Sequence, residues 1–193
     1  MQDILFFSNN SKKIEEIYNF FKKSSVKLTS LNDYNKIKSP EETGTSFEEN
    51  AKIKSLYGYK HFNKICFADD SGICIKALDN NPGIKSKEFL YSKNKPLKVL
   101  EKIISITKNK NTYEAFFQTT ICLTINKNTH MYFTGKIEGE ISNKIKGSNG
   151  FGYDPIFIPN GHKLTFGEMP LNKKNIYSHR GIAIQKLKKY LFD

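Results

Sequence analysis

Four short segments carry side chains whose types and spacing could do chemistry together. The first is Asp69 and Asp70, two adjacent carboxylates after the apolar run at 65–68. That run reads as a short strand, which puts the acids at its end. Like charges side by side raise one pKa, and a nearby cation removes the conflict. Magnesium commonly takes one or two protein carboxylates and fills its shell with water and substrate phosphates. Glu41 and Glu42, in the loop before, could complete such a site. The same acids also suit a solvated turn, with Gly72 allowing the bend. The second segment is SNNSKK, residues 8–13, which follows the apolar run at 4–7. A strand that stops at a helix N-terminus exposes backbone N–H groups, and the helix dipole adds positive potential that suits phosphate. Lys13 sits in the first turn and could reach a phosphate as a point charge. The glycines of a Walker loop are missing, and an ordinary βα turn with capping side chains fits the segment too.

The third segment is GSNGFGYDP, residues 147–155. Glycines around Phe151 and Tyr153 let the backbone approach a ligand closely. A ring there could stack on a planar base, and Asp154 could accept from ring N–H groups. A bulged strand with core aromatics is the other reading. The fourth is Ser178, His179 and Arg180. Of 31 basic residues, Arg180 alone is arginine. In a chain this biased to lysine, an arginine suggests that its planar five-donor fork is needed. A helix cap beside a chance arginine would also fit. Together the four segments hold a phosphate cradle, a magnesium site, a stacking ring and polar base readers. That set describes a nucleoside triphosphate.

The elements that must position these groups are those of an α/β chain. A strand at 4–7 leads to a helix whose Ile14, Ile17, Tyr18 and Phe21 recur at helical spacing, followed by a strand at 26–31. Residues 32–45 form a loop. Ser46 caps a helix to about residue 59, with Glu48 and Glu49 in its first turn. Residues 73–77 stay extended, 80–83 turn and 97–106 are helical. Strands at 115–125 and 131–141 are joined by a hairpin at 126–129, and a short strand follows at 156–158. Ser178 caps a last helix at 180–191. The long strands of the third quarter could make a second lobe.

The 193 residues suit one domain. The net charge of +12 comes with abundant lysine, asparagine and isoleucine. It therefore predicts an anionic partner only weakly. The lysines are spread along the chain rather than striped between stacking rings, so nucleic acid is not expected as a partner. No apolar run approaches the ~20 residues needed to span a bilayer. The start, MQDILFFSNN, lacks the basic and apolar stretches of a signal peptide, which predicts a cytoplasmic chain with no membrane partner. Cys66, Cys74 and Cys122 form no metal-binding spacing and read as buried free thiols.

These segments resemble the inosine triphosphate pyrophosphatase family nearly end to end, over residues 4–191. The matching stretches are SNNSKK, EETG (41–44), FEENAKIKS (47–55), ADDSG (68–72), PGI (82–84), GSNGFGYDPIF (147–157), TFGEM (165–169) and SHR (178–180). The resemblance implies one ITPase-like domain over 1–193, an elongated mixed β-sheet flanked by helices. It implies two lobes with an active-site cleft between them. It implies hydrolysis of deaminated purine nucleotides, ITP, dITP and XTP, to the monophosphate and pyrophosphate, with Mg2+ and as a homodimer. By resemblance, Ser8, Asn10, Lys13 and Lys54 hold the triphosphate, and Ser71 lies against the nucleotide. Glu41 and Asp70 bind the metal. Asp70 is also the base that activates water, with Asp69 as helper. Phe151, Gly152, Tyr153 and Asp154 form the base-binding loop, and Lys174, His179 and Arg180 read the base.

Three segments depart from the family pattern. Ser8 stands for threonine and keeps the hydroxyl. Lys85, Ser86, Lys87 and Glu88 replace the usual continuation of PGI, and Gly167 replaces alanine. None removes a proposed catalytic group. A related pyrophosphatase with another modified-base preference would keep Asp70 and change the readers, which His179 and Arg180 argue against. A nucleotide-binding protein without hydrolysis would not need Asp69, Asp70 and Glu41 intact.

Overall fold

A computed structural model describes residues 3–22, 24–34 and 37–193 of the protein. The expected loop over 32–45 includes residues 35 and 36, which lie outside the described residues. Seven strands form among the described residues: β1 (Asp3–Phe6), β2 (Lys27–Ser30), β3 (Cys66–Ile75), β4 (Asn81–Pro82), β5 (Glu114–Thr124), β6 (His130–Ile141) and β7 (Phe157–Pro159). Their order is β2-β1-β3-β5-β6-β7, with β4 on β3. β1 runs parallel to both β2 and β3, while β4 and β7 pair antiparallel with β3 and β6. The helices are α1 (Ser11–Phe21), α2 (Phe47–Phe62), α3 (Ser86–Leu90), α4 (Pro96–Asn109), α5 (Leu171–Tyr177) and α6 (His179–Phe192). The fold is mixed α/β, as the alternation of strand and helix signals predicts. No helix of the described residues is long and apolar enough to cross a membrane. All three cysteines are buried and free, as expected.

The chain divides into two compact units. Unit one comprises 1–70, 119–134 and 183–193. Its core gathers Ile4 and Phe6 from β1 with Ile14, Ile17 and Phe21 from α1, and adds Phe67, Ile121, Ala183, Ile184 and Leu187. Ile14, Ile17 and Phe21 are the periodic apolar positions of α1, and burying each such side chain contributes about 1.5–3 kcal/mol. Asn10 caps α1 through its side chain, and Ser46 caps α2 through a bond from Glu49 N. Glu48 and Glu49 open α2 and Lys60 lies in its last turn, each charge matched in sign to the helix dipole.

Unit two comprises 71–118 and 135–182. Its core joins Ile73 and Ile75 with Leu100, Ile103, Phe117, Ile141, Tyr153, Phe157 and Phe166. Two short helices escape the sequence reading, α3 and α5. Each has only five to seven residues, too few to display a helical period.

Asp69 and Asp70 do not stand at the end of a short strand. β3 runs unbroken through ADDSG to Ile75, and both acids are buried in its middle. Residues 76–78 then form a 3-10 turn where extended chain was expected.

Candidate active site

Unit one places six of the expected site residues on three neighbouring segments. The turn after β1 carries Ser8, Asn10 and Lys13. Ser8 Oγ accepts from Asn10 N at 3.2 Å. Asn10 Oδ1 accepts from Lys12 N and Lys13 N at 3.1 and 3.3 Å, so its oxygen is spent on the cap and its amide nitrogen is what it can offer a ligand. Lys13 Nζ lies 2.8 Å from Asp69 Oδ2, and the Asp69 side chain is only 1% exposed. A buried carboxylate needs such a partner.

Asp70 is held on both oxygens. Lys54 Nζ reaches Oδ1 at 3.2 Å and Glu42 Oε2 at 3.0 Å. Asn50 Nδ2 donates to Oδ2 at 3.3 Å. Burial pushes the Asp70 carboxyl above its ordinary range, and the attraction of Lys54 and Lys13 only partly offsets it. At Lys54 burial opposes the charge, but Asp70, Glu42 and Asp69 together outweigh it and raise the pKa. The arrangement is a buried carboxylate with enhanced proton affinity beside two ammonium groups. Such a group suits a base. Asn50 was missed by sequence reasoning. The signal that could have found it is its spacing of four from Lys54, which puts both on one face of α2.

Unit two carries the other group. Asp154 Oδ2 accepts from Phe151 N at 2.7 Å and from Lys174 Nζ at 2.8 Å. The Asp154 and Lys174 side chains are 4% and 2% exposed. Lys174 Nζ stands 5.1 Å from the Phe151 ring centroid, and the Arg180 guanidinium carbon stands 5.6 Å from it. These are cation–π distances. Arg180 also donates to Ser71 Oγ at 3.2 Å. The His179 ring stacks on Phe117, centroids 4.5 Å apart and 7° from parallel. Phe151 thus borders three of the expected base-binding groups.

Gly150 explains the glycine density of this loop. Its φ is +72°, and a side chain there would run into the Asp154 carboxylate and come within 3.2 Å of Lys174 Nζ. Tyr153 is different: its ring is in the core and its hydroxyl donates to Ser86 O at 2.7 Å. Gly152 is half-buried beside it. In the loop that departs from the family pattern, Lys85, Lys87 and Glu88 are exposed. Ser86 is buried, and its Oγ accepts from Ile73 N at 2.9 Å. Gly167 is closely packed: a Cβ would fall 2.6 Å from Lys146 O.

Sequence comparison matches residues 4–190 to the model of the Ham1 family. The chain belongs to the Ham1 family. It is 39% identical to a dITP/XTP pyrophosphatase of Christiangramia forsetii, covering 97% of this chain and 98% of the relative. It is 35% identical to a dITP/XTP pyrophosphatase of Porphyromonas gingivalis, covering 99% and 98%. A Ham1 protein of Coxiella burnetii has a similar structure, with TM-score 0.89 and 33% identity over 99% of this chain and 98% of that one. The Ham1 protein of Staphylococcus aureus gives 0.86 and 34%, covering 98% of each chain.

In this Ham1 chain, the described residues gather no three histidine, cysteine or acid groups into one metal-holding cluster. A magnesium site of the substrate-completed kind needs fewer. The local donors fit that kind: the Lys54 ammonium already bridges Asp70 and Glu42, which shows that carboxylates of this loop and of β3 converge on a cation. Glu41 is exposed on the same loop, one residue before Glu42.

Proposed function

We propose that this chain is a nucleoside-triphosphate pyrophosphatase that hydrolyses ITP, dITP and XTP to the monophosphate and pyrophosphate. One observation carries the reading: a buried acid, Asp70, is held on both oxygens by Lys54 and Asn50 and stands next to the Lys13–Asp69 pair, in a chain similar end to end to dITP/XTP pyrophosphatases. Unit one supplies the groups for the phosphates. Ser8, Asn10, Lys13 and Lys54 bind the triphosphate, and the lysines take up charge developing on the pyrophosphate. Asp70 accepts a proton from water as the water oxygen bonds to phosphorus. The α–β anhydride bond then breaks, and its electron pair leaves with the pyrophosphate. Asp69 keeps Lys13 in place for this step. Glu41 and Asp70 would hold Mg2+, which supplies neutralisation of phosphate charge when bound.

Unit two supplies the groups for the base. Phe151 offers a ring to stack on, carried by the backbone of Gly152, Tyr153 and Asp154, and Ser71 meets the nucleotide. Lys174, His179 and Arg180 are donors, and a 6-keto purine presents an acceptor at O6. Adenine presents an amino group there, which would leave a buried donor unmatched at about 1–3 kcal/mol. The enzyme works as a homodimer of ITPase-like domains, each spanning 1–193, on the nucleotide pool of the cytoplasm.

The deciding experiment is pyrophosphate release from ITP, XTP, GTP, ATP and dUTP, each with magnesium and with EDTA. Fast, metal-dependent release from ITP and XTP is expected. A folded protein that releases pyrophosphate from none of them would sink the hydrolase reading and leave nucleotide binding. Base readout has its own test. Arg180→Lys is expected to narrow the ITP-over-ATP ratio of kcat/KM by about tenfold, because a point charge cannot replace a planar fork at a stacked site. An unchanged ratio would move base reading to other residues.

A further inference from the structure

Two side chains of α2 grip the two oxygens of Asp70, and they differ in what else they touch. Lys54 reaches out to Glu42. Asn50 reaches back to the backbone: its Oδ1 accepts from Gly44 N at 2.9 Å while its Nδ2 donates to Asp70. Gly44 closes the EETG segment that carries Glu41 and Glu42. One amide, 3% exposed, is therefore bonded at one end to β3 and at the other to the acidic loop. A Cβ on Gly44 would lie 2.6 Å from Asn50 Oδ1, so the loop comes this near only because residue 44 has no side chain.

Capping does not explain Asn50. The cap of α2 is Ser46, and its first-turn acids are Glu48 and Glu49. What Asn50 does is geometric. The terminal torsion of an aspartate is broad and two-fold, so a carboxylate bonded at one oxygen can still swing. Donors on both oxygens stop the swing. We infer that Asn50 is a positioning residue: it fixes the plane of the Asp70 carboxylate and ties the 41–44 loop to it. Base and acidic loop are then held in one geometry. The inference rests on Asp70 being the water-activating base.

Two substitutions separate the ends of the amide. Asn50→Asp keeps the acceptor for Gly44 N but sets an acceptor against Asp70, and an acid near a helix N-terminus favours α2. Asn50→Leu keeps similar volume and removes both bonds. Turnover of ITP, calorimetric binding of ITP in EDTA and thermal midpoint are measured for both, beside the parent and Asp70→Asn. Each Asn50 variant is expected to lose about 10- to 100-fold in kcat, the size expected when a reacting group is misplaced by about an ångström. KM and the EDTA affinity should stay within about threefold, because an interaction felt only in the transition state lowers kcat alone.

A kcat within about threefold of the parent in either folded variant overturns the inference. So does a rise in KM with kcat kept, which would make Asn50 a binding group. If neither variant folds, Asn50→Gln, which keeps both amide groups but displaces them, decides: kcat within about threefold of the parent overturns the inference, and a kcat loss with KM kept upholds it. Asp70→Asn with parental turnover removes the base assignment and this inference with it. Loss in Asp70→Asn with parental Asn50 variants removes this inference alone.

Discussion

Asp70→Asn should fold, bind ITP with near-parental affinity in EDTA and turn it over at least about 100-fold more slowly. Loss of a positioned general base is worth about 10²–10⁴ in rate. The local geometry makes the exchange sharper than a change of charge. The carboxylate receives donors on both oxygens, from Lys54 and from Asn50. An asparagine amide has one acceptor, so in either orientation its NH2 faces one of those donors. Stability should move little, because relief of a buried charge is opposed by the donor facing a donor and by the loss of the Lys54 carboxylate partner. Burial holds the Asp70 carboxyl above its ordinary range. A carboxyl with a raised folded-state pKa stabilises the fold when protonated, and that contribution is lost as pH rises through the folded pKa. At neutral pH the ionised group therefore contributes less than the protonated one would, and a neutral isostere relieves that part while giving up the Lys54 pair. The checks are pyrophosphate release, ITP affinity and thermal midpoint without metal. A magnesium titration splits the two roles given to Asp70. If excess magnesium restores the rate, Asp70 acts by holding metal. Unchanged turnover at ordinary magnesium would remove Asp70 from the mechanism.

What the chain reveals before folding and what it conceals divide along a physical line. Caps are local, so Ser46 and Ser178 could be read from one side chain and the residues just after it, while the run of Asn9, Asn10 and Ser11 left three candidates of which the fold uses Asn10. Long amphipathic or β-branched runs were equally legible, as in α4, β5 and β6. The middle of β3 was not. Two aspartates, a serine and a glycine in sequence read as a turn because the groups that make them tolerable in a buried strand are remote. Lys13 is 56 residues from Asp69, and Asn50 and Lys54 are 20 and 16 residues from Asp70. Asn50 was hidden for a related reason. An asparagine within a helix has no chemistry of its own until a carboxylate is placed against it. The Asp154–Lys174 pair was half legible. Asp154 stood out in its glycine-rich segment and Lys174 came only from the family resemblance, each as a separate contact to a base, whereas the fold joins them at 2.8 Å.

Asp154→Ala should cost more stability than any other single change at the site, about 3–5 kcal/mol, the range for breaking a buried ion pair by deleting one partner. Lys174 Nζ would stay buried without its carboxylate, near the faces of Phe151 and Phe166 at 5.1 and 5.8 Å. Phe151 N would lose its acceptor as well. Two consequences separate this account from a general loosening. Asp154→Ala combined with Lys174→Met removes both charges, so the double variant should regain most of the stability that the single one loses, since an apolar pair of similar volume is often as stable as the ion pair. Neither variant should regain base choice. Phe151 is tethered through Asp154, and Lys174 is one of the donors proposed to face O6. The ITP-over-ATP ratio should therefore fall in both, while the phosphate groups of unit one keep a slow, base-indifferent turnover. Urea midpoints at unchanged slope give the stabilities, and kcat/KM ratios give the selectivity. A double variant no more stable than the single would mean that the cost lies in the loop backbone rather than in the ammonium that has lost Asp154. A double variant that kept the parental ratio would remove Lys174 from base reading and leave it a purely structural partner of Asp154.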